Sequence, residues 1–94
     1  MCIRDIAPHN PGGPICTVAA MHLAAAIPNF FILEQMEPQR AVRDRASTVP
    51  IRFENGCFVL PETPGLGLEP DLAVLEEFRF KPQPRTERAG ALFR

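Results

Sequence analysis

The chain has no tryptophan and no tyrosine, so its seven phenylalanines are the only aromatic anchors a core could use. Neither sign of charge is in excess: ten Lys and Arg against eleven Asp and Glu leave a formal net charge of -1. So balanced a chain gives no electrostatic basis for binding nucleic acid or an anionic membrane surface. Cysteine is scarce, and Cys2, Cys16 and Cys57 are odd in number and share no CxxC spacing. That pattern argues against a disulfide framework or a zinc site and for free thiols in a reducing cytoplasm. The N-terminus also lacks the basic-then-apolar layout of a signal peptide.

One run is long and nearly uncharged, Ile15 to Leu33, almost enough to span a bilayer. Pro28-Asn29 divides it into a helix-like part and a strand-like part, and His22 sits in its middle. The break falls where a soluble helix would end, so a transmembrane reading is rejected. No internal repeat is visible. What remains is a globular composition, 46% apolar and 22% charged, in 94 residues. That length allows one small domain with a core only marginally able to stabilise itself. Eleven prolines fall mainly in connections.

Residues Ile3 to Ala7 read as the tail of a short strand ending at Pro8-His9. Asn10 to Gly13 is a turn by composition, and Pro14 suits a first helical position, where its missing N–H costs nothing. Ile15, Val18, Ala19, His22, Leu23, Ala26 and Ile27 then recur at helical spacing and predict one buried face. The helix should stop before Pro28. Phe30 to Leu33 is an uninterrupted apolar run closed by Glu34, the pattern of a parallel strand covered on both faces. Strand, helix and strand with short links form a βαβ unit.

Beyond Glu34 the character changes. Gln35 to Ser47 is polar and predicts a surface loop or short helix. Asn55-Gly56, between the arms Ile51–Glu54 and Cys57–Leu60, predicts a two-residue β-hairpin turn. Pro64-Gly65-Leu66-Gly67 is a second turn, and Asp71 to Phe78 predicts a short helix with Leu72, Leu75 and Phe78 as one stripe. The chain thus divides into 1–34, the βαβ unit; 35–78, a hairpin and short-helix segment; and 79–94, a basic, proline-containing tail expected to be loosely held.

The segments APHNPGGP (7–14), HLAAAIPNFFILEQ (22–35) and ENGCFVLPETPGLGLEPD (54–71) together resemble a known family. They look like the C-terminal part of the mandelate racemase and muconate lactonizing enzyme branch of the enolase superfamily. Within it they are most similar to acid-sugar dehydratases of the galactonate dehydratase type. The resemblance implies an α/β fold: the C-terminal piece of a (β/α)7β TIM-like barrel, with its last two strands and intervening helix. The hairpin and short helix would return to an α+β capping domain. It also implies magnesium held by carboxylates on middle strands, abstraction of the proton α to a carboxylate, and loss of the β-hydroxyl as water. In the family the metal ligands, the lysine bases and the Asp that partners the histidine lie upstream. None has a counterpart here, so the chain reads as a fragment, inactive alone. Arg4 stands where the family has an apolar strand residue, which suggests that the sequence before Asp5 is a foreign or shifted start.

By the same resemblance His9 matches the strand-seven histidine, an acid/base role suited to imidazole, which titrates near neutrality. Glu34 matches the strand-eight glutamate, which hydrogen-bonds the substrate carboxylate or enediolate. Acting as a donor would require a protonated Glu34, with its pKa raised by burial or neighbouring anions. Asn10, beside His9, is a candidate substrate contact. From the residues alone, His9 could equally cap a turn, Glu34 be a solvated loop residue and Asn10 serve turn chemistry. His22 reads as a partly buried, hydrogen-bonded structural histidine, Asp5 has no supporting motif, and Gly12-Gly13 could bind an anion or simply form a tight turn.

The partner implied is a small sugar acid, in a cytoplasmic protein without nucleic acid or membrane. Two other readings stand beside the dehydratase. One is a non-catalytic remnant or small interaction protein that self-associates through unpaired strand edges. The other is a racemase or cycloisomerase of the same superfamily, which differs in the fate of the enolised intermediate.

Overall fold

The computed structural model describes residues 5–82; Cys2, Ile3, Arg4 and residues 83–94, which make up most of the expected tail, lie outside the described residues. Helix α1 spans Pro14–Ala26, with proline in its first turn as anticipated. Ile27, which precedes Pro28, is already extended at φ -102° and ψ 138°, because the proline ring disfavours a helical neighbour.

The face that α1 buries is not the one its periodicity suggested. Pro14, Thr17, Val18 and Met21 are buried, at i, i+3, i+4 and i+7. Of the expected face, Val18 alone is fully buried, whereas Ile15 and Leu23 stay about half exposed and Ala19 and Ala26 are exposed as well. The helix is apolar nearly all round, so spacing could not choose a side. Contacts from other segments do: Val18 and Met21 meet Ile51, with Leu33, Phe58 and Leu68 packed against them.

Two extended segments flank α1 and meet in a single parallel bridge between Ile6 and Phe30. The Ile6 N–H donates to the Asn29 carbonyl at 2.8 Å, and the Phe31 N–H donates to the Ile6 carbonyl at 2.9 Å. The run beyond this bridge is not covered on both faces as its sequence suggested: Phe31 is 71% exposed and Ile32 58%. Among the described residues no further strand lies beside it to extend the ladder.

A 3₁₀ turn (Glu37–Gln39) leads into helix α2 (Arg40–Arg45). This polar stretch is not wholly superficial, because Arg43 is 5% exposed. Its Nη1 donates to Gln35 Oε1 at 2.9 Å, and its guanidinium lies 5.7 Å from the Phe58 ring centroid. Strands β1 (Phe53–Glu54) and β2 (Cys57–Phe58) pair antiparallel, Phe53 opposite Phe58 and Glu54 opposite Cys57. Asn55 and Gly56 both take positive φ, 51° and 80°, as a type I′ turn requires. The two phenylalanine rings pack edge to face with centroids 5.0 Å apart.

Helix α3 (Leu72–Glu77) starts at Asp71, whose Oδ1 accepts from the N–H groups of Ala73 and Val74 at 3.0 and 3.1 Å. Its apolar stripe is uncovered: Leu72 is 74% exposed, and Leu75 and Phe78 are also exposed. The α2 and α3 regions are joined by the Asp71 N–H to the Ala46 carbonyl at 2.9 Å and by Arg45 to Glu77 at 3.0 Å. No helix of the described residues is long and apolar enough to cross a membrane.

Candidate active site

The parallel bridge fixes which side chains meet. His9 lies three residues beyond Ile6 and Glu34 four beyond Phe30, so both leave at the same end of the paired segments. His9 Nδ1 is 2.7 Å from Glu34 Oε2, and the backbone N–H of Asn10 donates to that same oxygen at 2.7 Å. A carboxylate only accepts, so Nδ1 carries the proton and Nε2 is the ring atom left to exchange one. Oε1 of Glu34 has no hydrogen-bond partner among the described residues. The pair is open to solvent, with side-chain exposures of 79% for His9 and 37% for Glu34.

The Asn10 backbone N–H holds the Glu34 carboxyl below the ordinary glutamate range; desolvation opposes this and the hydrogen bond and charge of His9 assist it. A donor role for Glu34 requires the opposite direction. In this arrangement Glu34 is an ionised acceptor, because two donors converge on it and no neighbouring anion raises it.

Asn10 is not placed as a substrate contact. Its side chain is 2% exposed and turned inward: Nδ2 donates to the Glu34 backbone carbonyl at 3.1 Å and lies 3.3 Å from Thr17 Oγ1. Thr17 is fully buried, and its hydroxyl lies 3.3 Å from Asn10 Oδ1 and 3.2 Å from the Gly13 carbonyl. Helical periodicity gave no reason to single out Thr17. The usable signal was a hydroxyl one turn into a helix preceded by an Asn-containing loop.

The remaining candidates fall elsewhere. His22 is half-buried and its Nε2 donates to the Leu66 carbonyl at 3.1 Å, tying α1 to the Pro64–Gly67 turn. Asp5 is exposed. A Cβ on Gly12 would come within 2.5 Å of Cys16 Cβ, so close packing of the turn against α1 accounts for that glycine. Cys16 and Cys57 are free and exposed. An apolar cleft of about 620 Å³, lined by Met21, Phe31, Leu33, Phe53 and Phe58, does not include His9 or Glu34. No group of three or more His, Cys, Asp or Glu among the described residues could hold a metal ion.

Known proteins place the chain in a family. A family model described as enolase C-terminal domain-like matches residues 4–74. The chain is 45% identical over 75 residues to the D-galactonate dehydratase family member RspA of Halomonas elongata, covering 78% of this chain and 18% of that protein. It is 39% identical over 71 residues to a D-xylonate dehydratase of Haloferax volcanii, covering 76% and 17%. The solved mandelate racemase/muconate lactonizing enzyme of Jannaschia sp. superposes with a TM-score of 0.75 at 30% identity, covering 85% of this chain and 20% of that one. The chain therefore spans about a fifth of the length of the proteins it matches. The resemblance carried by the three motifs is thus borne out, and with it an α/β segment of the barrel enzymes. Matched by the family model over most of its length, the chain belongs to the enolase C-terminal domain-like family.

Proposed function

We propose that the chain supplies the closing barrel segment of an acid-sugar dehydratase. Residues 1–34 would form the last βαβ unit, 35–78 the return toward a capping domain, and 79–94 a tail. The carrying observation is the 2.7 Å contact between His9 Nδ1 and Glu34 Oε2, made by two segments 25 residues apart in sequence. In this reading His9 is the acid/base, exchanging a proton at Nε2. It would remove the proton α to a carboxylate or protonate the departing β-hydroxyl as water. Glu34 holds the imidazole in the Nδ1–H form and keeps Oε1 for a hydroxyl of the substrate.

The family's magnesium does not fit the described residues. Among the described residues Glu34 is the one carboxylate at this rim, and its Oε2 already accepts from His9 and Asn10. A metal-assisted enolisation would draw its ligands from sequence outside this chain, and no step is assigned to the metal. The sugar acid as partner rests on the dehydratase names of the relatives. A cytoplasmic location is supported by two free, exposed cysteines.

The test is complementation. The 94-residue chain is combined with the D-galactonate dehydratase family member of Halomonas elongata shortened by its matching C-terminal segment, with magnesium and a panel of sugar acids. We expect the chain alone to be inactive and the mixture to form a 2-keto-3-deoxy acid. No product, when the relative's own segment supplied in the same way restores activity, would defeat the reading. A second reading, a non-catalytic interaction protein, is favoured by the exposed Phe31, Ile32 and Leu72. Concentration-dependent self-association without complementation would select it. A racemase or cycloisomerase is supported by the likeness to the Jannaschia mandelate racemase/muconate lactonizing enzyme, and product analysis separates it from a dehydratase.

A further inference from the structure

We propose that Asn10 and Thr17 are positioning residues of the His9–Glu34 pair: a buried clamp that holds the carboxylate where it selects the Nδ1–H form of the imidazole. This deepens the reading of His9 as the proton-exchanging group and rests on it.

The pair itself is mostly exposed, and an exposed ion pair between flexible side chains has little intrinsic order. Its order comes from the other side. Asn10 grips Glu34 twice, with its main chain on the carboxylate at 2.7 Å and its side chain on the Glu34 backbone carbonyl at 3.1 Å. One residue therefore sets both the height of the strand end and the direction of its side chain. His9 precedes Asn10 directly, so the imidazole and the second donor reach Oε2 as a unit.

The Asn10 amide must itself be oriented. A carbonyl only accepts, so the Glu34 backbone oxygen pins Nδ2, and Oδ1 then needs a donor. Thr17 Oγ1 lies 3.3 Å from both Oδ1 and Nδ2, so the hydroxyl engages the amide as donor to the one or acceptor from the other; it is fully buried, so water does not compete. The hydroxyl also lies 3.2 Å from the Gly13 carbonyl, one turn back along α1. Helix α1 thereby dictates the register at which the two flanking segments present His9 and Glu34. A threonine that served the helix alone would bond only that carbonyl and leave His9 unaffected.

The experiment uses the full 94-residue chain, ¹⁵N-labelled, with the His9 tautomer read from long-range ¹H–¹⁵N spectra in alkaline buffer. In the unmutated chain the Nδ1–H form should predominate. Thr17→Val, which keeps the shape and removes the hydroxyl, should abolish that predominance, and Thr17→Ser should restore it. An unchanged His9 tautomer in Thr17→Val, or no Nδ1–H predominance in the unmutated chain, overturns the proposal. If Thr17→Val loses α1, the unmutated chain decides through the Asn10 side-chain amide. Exchange much slower than that of the exposed Asn55 amide supports the clamp, and equal exchange overturns it. No sugar acid is present, so failure of the dehydratase reading would appear in the complementation assay and not here.

Discussion

Asn10 holds Glu34 at two points, donating from its backbone N–H to Oε2 at 2.7 Å and from Nδ2 to the backbone carbonyl at 3.1 Å, across 24 residues of chain. A glutamate held this way has a set charge state as well as a set position, and the first prediction concerns that charge.

The Glu34 carboxyl should titrate below an unperturbed glutamate, because the Asn10 N–H, ahead of His9, favours its ionised form. With the folded value depressed, Glu34 contributes stability that is fully present above the unfolded-state value. It is lost as pH falls through the folded value. Carboxyl-carbon NMR should show the low titration, and the His9 ring shifts should report loss of the contact over the same pH range. A normal or raised Glu34 value would contradict the observed donors.

Replacing His9 with Asn keeps a polar group but removes the exchangeable ring proton. In the complemented enzyme the rate of product formation should fall by about 10²–10⁴-fold, the usual worth of a positioned acid/base. The amount of chain bound to the shortened partner should not change. A loss below about threefold would exclude His9 from proton transfer.

The two glycines of the Pro64–Gly67 turn should respond differently to alanine. Both have φ of 73°, so each substitution carries backbone strain of about 1–2 kcal/mol. At Gly65 nothing lies within 4 Å of the added Cβ, whereas at Gly67 it would meet Pro61 Cβ at 2.5 Å. Denaturant unfolding should therefore rank Gly67→Ala as the more destabilising, and equal effects would mean that Pro61 yields freely.

Asp71→Ala removes the acceptor for two orphan N–H groups at the start of α3. A loss of about 1 kcal/mol is expected, with fraying of Leu72–Glu77 visible in amide exchange. The Asp71 N–H to the Ala46 carbonyl uses the main chain and should survive.

Features governed by near neighbours were legible without the structure. The Asn55-Gly56 hairpin, the α1 start at Pro14 and its stop before Pro28 each arise from the backbone preferences of one or two residues. His9 and Glu34 were identified by their motifs, and the parallel pairing of Ile6 with Phe30 puts them at one end. The state of Glu34 was not legible, because it depends on a backbone N–H that only the folded chain brings to Oε2.

By itself, then, the sequence determined the turns, the helix limits, the family and the two ionisable residues, all of which depend on short-range sterics or on motifs kept intact in the chain. Only the tertiary structure decided that α1 turns Thr17 and Met21 inward beside Val18, and leaves Ile15 and Leu23 half exposed. It likewise decided that Arg43 sits inside and that Asn10 supports the site from beneath. The physical reason is common to all three. A helix apolar on most sides, and polar groups whose partners lie 7 to 24 residues away, are settled by which contacts can all form at once.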